Sequence, residues 1–165
     1  MTKITHLKET GKLISQHGIA DIWHDAVTNH YSLHAASDFE TGNIITPFKG
    51  ASVQNYATYL TVQTGTDSHI ILDPTFLQYI NHSCNPNVFF DTTSMQLISI
   101  RPIKTDDEFC FFYPSTEWEM ARPFVCNCGS KNCLQLINGA AHLSKETLEK
   151  YRLTDFILQK IKQKT

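Results

Sequence analysis

The sequence predicts a compact, mostly-β domain of many short strands, closed by a helical tail. Three observations carry this expectation. Between residues 22 and 113, short apolar stretches alternate with turn signals, the rhythm of a compact, irregular β domain. From residue 143 to 161 the spacing becomes helical, with Leu148, Tyr151, Phe156, Ile157 and Ile161 apolar. The 165 residues, 41% hydrophobic and 18% charged, amount to about one domain, which buries enough surface to need no disulfides.

The elements follow in order. Residues 1–20 are weakly patterned and read as an arm or a first strand. Residues 38–42 and Lys49-Gly50 are expected turns, with the strand-like Ile44-Ile45 between them. Residues 56–62 and 69–72 read as strands. Asp73-Pro74 starts a turn, and residues 76–80 form a short apolar piece leading into Asn81. Residues 88–90, 96–100 and 109–113 complete the strands. In the tail, Ser144 and Thr154 are the expected N-caps, and Lys160, Lys162 and Lys164 suit the negative end of a helix dipole.

Charge narrows the function. With 14 basic and 16 acidic residues the net charge is -2, so the chain lacks the basic footprint of a nucleic-acid binder, and no direct nucleic-acid binding is expected. No run approaches the length of apolar residues that spans a membrane. The start, MTKITHLKETGKLIS, has no apolar core of a secretory signal. The expectation is an intracellular protein: nuclear if eukaryotic, cytoplasmic or delivered to a host if bacterial.

Five cysteines stand out: Cys84, Cys110, Cys126, Cys128 and Cys133. Their odd number leaves one over in any internal disulfide framework, and clustered intracellular cysteines more often hold metal. Cys126-Asn-Cys128-Gly-Ser-Lys-Asn-Cys133 can aim three thiolates at one centre, about 2.3 Å from each sulfur for zinc. The fourth ligand is Cys84 or Cys110, unless a histidine serves. Cys110 lies in an aromatic strand and reads as a small buried hydrophobe. Cys84 lies in a turn-rich loop that could present a thiolate. Cys84, Cys126, Cys128 and Cys133 are therefore read as one structural zinc site, the alternative being reduced or partly oxidised surface thiols. Four sulfurs leave no open position for Lewis-acid chemistry.

Asn81-His82-Ser83-Cys84-Asn85-Pro86-Asn87 resembles the NHSCxPN signature of SET-domain protein lysine methyltransferases. Asp107-Glu108-Phe109-Cys110-Phe111-Phe112-Tyr113 resembles the family's G-E-E-L-T-F-D-Y strand, which ends in the catalytic tyrosine. The cysteine run resembles the post-SET zinc motif, whose fourth ligand in that family is the Cys of NHSC. The resemblance covers roughly residues 20–140. It implies a SET-type fold of several small sheets with a pseudoknot, the NHS segment threading beneath a neighbouring loop. On that pattern residues 1–20 are an N-terminal arm and 21–115 the SET domain. Residues 116–140 are then the zinc-bound post-SET segment, and 141–165 a C-terminal helical extension.

The implied activity is methyl transfer from S-adenosylmethionine to a lysine amine of a protein or peptide, such as a histone tail or another basic protein. Di- or trimethylation is expected. The alternative is a catalytically impaired, zinc-stabilised binding module. By resemblance, Asn81 and His82 contact the cofactor, and Tyr113 places its hydroxyl beside the reacting methyl and amine. Phe111 matches the family's Phe/Tyr switch, where phenylalanine leaves room for further methylation. Trp118 matches an aromatic near cofactor and peptide, and Ile137 an apolar position that covers the adenine. The family's Gly-x-Gly, which lets backbone approach the cofactor, has its best match at His30-Tyr31-Ser32 without either glycine; by this match Ser32 is a cofactor contact, with close approach harder than for glycine. Phe112 also replaces an Asp, and Gln135 a common Gly.

The chemistry explains the residue types. Methyl transfer is an in-line displacement that needs a neutral amine held about 3 Å from the methyl. An aromatic channel favours the neutral amine by desolvation. Phe109, Phe111, Phe112, Tyr113, Trp118 and Phe124 concentrate aromatic area where such a channel is wanted.

Overall fold

The protein is described here by a computed structural model covering residues 10–164. The first nine residues of the expected arm lie outside the described residues. Three small antiparallel sheets form the body. In the first, β1 (Gly11–Gln16), β2 (Ala20–Asp25) and β3 (His30–Ala35) lie in that order. The arm's second half thus supplies a strand, and a boundary at residue 20 would cut a hairpin. The second contains β4 (Ile44–Pro47), β9 (Val88–Asp91) and β10 (Gln96–Ser99), with β10 central. The third contains β5 (Lys49–Gln54), β6 (Thr61–Gly65) and β7 (Ser68–Asp73), with β7 central.

Residues facing inward from these sheets meet in one core. Leu33, Leu77, Phe90, Leu97, Ile103 and Phe109 are almost fully buried within it. At about 25 cal/mol per Å² of apolar surface, this burial supplies the main drive for the fold.

Two further pairings are only two residues long. β8 (Asn81–His82) runs parallel to β11 (Cys110–Phe111), while β12 (Phe124–Val125) pairs antiparallel with β13 (Leu136–Ile137). Side chains reinforce the first. The amide of buried Asn87 mimics a strand: Oδ1 accepts from the Cys110 N–H (2.8 Å) and Nδ2 donates to the Glu108 carbonyl (2.9 Å). The stretch before β11 is also sewn to β3, with Phe109 N–H donating to Leu33 O at 2.8 Å.

Several local expectations change. Lys49-Gly50 is no turn, because Gly50 pairs with Leu72 inside β5. Residues 56–60 turn before β6, where the Thr61 hydroxyl bonds both the Thr58 N–H and carbonyl. Residues Thr75–Tyr79 form a 3-10 helix, as do Tyr113–Ser115, so the strand expected to reach Tyr113 pairs only through Phe111.

The tail is two helices, α1 (Lys145–Leu148) and α2 (Asp155–Lys164). Ser144 caps α1, its hydroxyl accepting from the Thr147 N–H at 3.1 Å. Thr154 precedes α2 and anchors it, donating from both N–H and hydroxyl to Ser115 O. The break between the helices places Tyr151 flat on Phe112, ring centres 3.7 Å apart. Leu148 and Ile157 bury against Ala140, with Trp118 and Phe156 packed around them. No helix among the described residues is long and apolar enough to cross a membrane.

Candidate active site

The β8–β11 pair sets Asn81 beside Cys110 and His82 beside Phe111. Asn81 Nδ2 donates to Tyr31 O at 2.8 Å and to Glu108 Oε1 at 3.1 Å, tying this pair to β3. Beside it opens a cleft of about 450 Å³, within the range of small-molecule sites. Its walls are largely apolar and aromatic: Tyr31, Leu77, Phe90, Phe111, Tyr113 and Phe124. The Tyr113 hydroxyl donates to Ile80 O at 3.3 Å, which leaves its oxygen lone pairs free. Burial, reinforced by the nearby carboxyls of Glu108 and Glu117, pushes the phenol well above its usual range. Tyr113 is therefore a neutral phenol at physiological pH. The Phe111 ring lies 4.7 Å from that of Tyr113 and 4.8 Å from that of Phe90.

One acid enters this apolar wall. Glu117 is 6% exposed, and its Oε1 accepts from the Gln63 N–H (2.8 Å) and the Thr116 hydroxyl (3.0 Å). Burial raises its carboxyl to about 7, against the pull of those two hydrogen bonds. Gln63 closes the clasp by accepting from the Trp118 N–H at 2.9 Å.

His82 points elsewhere. Its Nδ1 accepts from the Tyr113 N–H at 3.2 Å, so the proton of the neutral ring sits on Nε2, which lies 3.4 Å from Cys84 Sγ. Burial lowers its pKa to about 4. The ring packs against Tyr113 and Phe124, centres 5.2 and 5.6 Å apart, and so joins the cleft wall to the cysteines.

Those cysteines converge. The sulfurs of Cys84, Cys126, Cys128 and Cys133 all lie within 4.8 Å of one another, and Cys84 and Cys126 are 4.0 Å apart. A tetrahedron of zinc–sulfur bonds of about 2.3 Å has edges of about 3.8 Å, so the donor set fits zinc. Gly129, at φ +72°, supplies the left-handed turn that brings Cys133 back toward Cys128. Burial pushes the Cys84 thiol up, and Cys126 up to about 11. At Cys128 burial acts in the same direction but is outweighed by Ser130 and neighbouring donors, which bring it down to about 6. Four thiols this close cannot all ionise unless a cation sits among them. Cys110 is buried in β11, outside the cluster.

Of the residues expected to act, Asn81, Phe111 and Tyr113 line the cleft, and Cys84, Cys126, Cys128 and Cys133 form the cluster. Ser32 does not line the cleft. It is buried, with its hydroxyl 2.9 Å from His34 Nε2, and its neighbours His30 and Tyr31 face the cleft instead. Trp118 lies in a separate depression with His69 and Phe156, beneath the Lys160 ammonium at 5.5 Å from the ring centre. Ile137 is buried against Cys84 and Cys126. Of the expected aromatic channel, Phe111, Tyr113 and Phe124 reach the cleft, while Phe109 and Phe112 are buried apart from it. Glu117 was not anticipated. The one signal in the sequence is its place four residues past Tyr113, the first acid after it.

Comparison with known proteins gives this geometry a context. Residues 30–114, just over half of the chain, match the SET domain family. The methyltransferase flvH of Aspergillus flavus is 45% identical over 102 residues, which cover 61% of this chain and 57% of that protein. A histone-lysine N-methyltransferase of Coccidioides immitis, H3 lysine-36 specific, is 33% identical over 90 residues, 47% of this chain but 9% of that protein. The chain thus spans a little over half of the first relative and under a tenth of the second. The methyltransferase domain of human histone-lysine N-methyltransferase SETMAR aligns at TM-score 0.49 and 14% identity, covering 78% of this chain and 58% of that one.

Proposed function

The chain belongs to the SET-domain family, and from that premise we propose that it is an S-adenosylmethionine-dependent protein lysine N-methyltransferase with one structural zinc. The observation that supports this most is the meeting of Asn81, Phe111 and Tyr113 in one aromatic cleft at the β8–β11 pair. S-adenosylmethionine supplies an electrophilic methyl when bound. Asn81, with Tyr31 and His30 beside it, would hold the cofactor. With its hydroxyl proton directed at Ile80 O, Tyr113 would turn free lone pairs toward the polarised methyl. Phe111, Phe90 and Phe124 exclude water and favour a neutral lysine amine. Phe111, with no hydroxyl to hold a water, leaves room for di- or trimethyl product. Cys84, Cys126, Cys128 and Cys133 would hold zinc, keeping Phe124 against the cleft. The substrate is a lysine of a basic protein, a histone tail included.

His30-Tyr31-Ser32, which lacks both glycines of the family pattern, favours a second reading: a zinc-stabilised binding module without turnover. Radiolabelled methyl transfer onto core histones and a whole-cell lysate tests the first. Label that depends on Tyr113, and falls sharply in Tyr113→Phe, is the expected result. Calorimetry with S-adenosylmethionine separates the two readings. No heat of binding and no label would leave the binding module.

A further inference from the structure

We propose that Glu117 is the cation site of the cleft and its proton acceptor, binding the substrate ammonium and taking from it the proton that must leave before the nitrogen can react. The inference rests on the cleft being an amine methyltransferase site and names the group that reading lacks. A nitrogen needs its lone pair to be methylated, and every further methylation needs another proton removed. Tyr113 cannot take it, because its phenol is neutral and its own proton is committed to Ile80 O. Both His82 nitrogens are engaged away from the cleft, by the Tyr113 N–H and by Cys84.

Glu117 has the required features. It is the only carboxylate among the described residues lining the cleft. Its Oε1 is clamped by two donors, the Gln63 N–H from β6 and the Thr116 hydroxyl, which fixes the plane of the carboxylate. Among the described residues nothing is hydrogen-bonded to Oε2. Its own N–H donates to Tyr113 O at 3.0 Å, so the acid and the phenol are carried on one turn. An aliphatic ammonium ordinarily titrates near 10, far above a carboxylate. Burial lowers the first and raises the second, and Glu117 is already at about 7. The proton passes from the ammonium nitrogen to Oε2. The N–H bonding pair stays on nitrogen as its lone pair, the carboxylate becomes a carboxylic acid, and the proton then leaves to water at the cleft mouth.

Other ionisable groups share these walls. Tyr113 lies on the same turn, Arg122 on the segment that follows, Tyr59 ahead of β6, His30 and Tyr31 on β3, and Tyr79 at the end of the first 3-10 helix. Glu108 is held by Asn81 and does not line the cleft.

Binding of n-butylammonium chloride to the full chain, measured by calorimetry between pH 6 and pH 8, tests this without any turnover. Affinity in the wild type should rise about tenfold across that interval as the carboxylate ionises. In Glu117→Gln, which keeps an oxygen for Gln63 and Thr116, binding at pH 8 should weaken about tenfold and the rise should vanish. Glu117→Asp keeps an acid and should keep the rise. With core histones as acceptor, Glu117→Gln should lose about 100-fold in kcat/KM together with the limb near pH 7. Absence of butylammonium binding in the wild type, or an unchanged pH rise in Glu117→Gln, overturns the proposal. Glu117-dependent amine binding without methyl transfer would instead keep the cation site and remove the methyltransferase reading.

Discussion

Stripping metal from the cysteine cluster, by chelation or by Cys133→Ser, should loosen one wall of the cleft while the sheets of the body stay folded. The size of the effect follows from chain connectivity. Cys84 and Cys126 are 42 residues apart, and a cross-link closing a loop of that length is worth about 4 kcal/mol on a chain-entropy basis. That is close to a thousandfold in the local opening equilibrium. What remains without metal is local: the two-residue β12–β13 ladder, a few hydrogen bonds such as Cys126 N–H to Gln135 O and Asn132 Nδ2 to Cys84 O at 3.0 Å, and the packing of Ile137 and Phe124. Met120, Arg122 and Phe124, on the chain leading into this segment, line the cleft. The assay is hydrogen exchange with and without chelator, read at Cys126 and Ile137 in the segment and at Leu33 and Leu97 in the core, beside zinc content and methyl transfer. Protection should fall by two to three orders of magnitude at the first pair and hold at the second, with activity lost. Zinc well below one per chain in protein purified without chelator would refute the reasoning, as would unchanged exchange at Cys126 after metal removal.

Three further outcomes are expected. Phe111→Tyr places a hydroxyl within the cleft beside Tyr113, so product should shift toward monomethyl-lysine, read by mass spectrometry; a wild type that makes only monomethyl product refutes the assignment. The folded Glu117 carboxyl titrates at about 7 against an ordinary 4.5, so the folded state binds the proton more tightly than the unfolded one. Its contribution to stability is full below about pH 4.5 and is lost as pH rises through about 7, about 3 kcal/mol in all; denaturation at pH 5 and pH 8 should show Glu117→Gln gaining on the wild type at the higher pH. Gly139→Ala should cost about 3 kcal/mol and lower the melting temperature by about 6–12 °C. The reason is that Gly139 has φ +107° and a Cβ there would lie 2.4 Å from Trp118 O.

Much of the site was legible because its chemistry is written locally. The spacing from Cys126 to Cys133 is a ligand pattern on its face, and Asn81 to Asn87 holds the polar groups that lock β8 to β11. The strands at 88–90 and 96–99 were readable because each carries enough apolar residues to declare a buried face. Other features are set by partners far along the chain. Residues 75–79 have the same apolar content whether extended or coiled, and only packing of Leu77 into the core decides. The helical pattern of residues 143–161 conceals a break because stacking of Tyr151 on Phe112 outweighs helix continuity. Ser32 aligns with the right segment, but on β3 its side chain is buried beside His34 while Tyr31 meets the cleft. Glu117 was hidden because its place after Tyr113 does not say whether it or Glu119 folds under the aromatic wall.

The two-residue parallel ladder between β8 and β11 has a consequence for how the folded protein comes into being. Parallel neighbours cannot form as a local hairpin, and here the whole β9–β10 hairpin lies between them. The ladder should close only after that hairpin has docked, against a loop-closure entropy that two backbone pairs offset weakly. Asn81 and Tyr113 are therefore expected to come into register late, when most of the apolar surface is already buried. Refolding followed by core fluorescence should run ahead of refolding followed by ligand binding, and a chain with its sheets intact can still lack a working cleft.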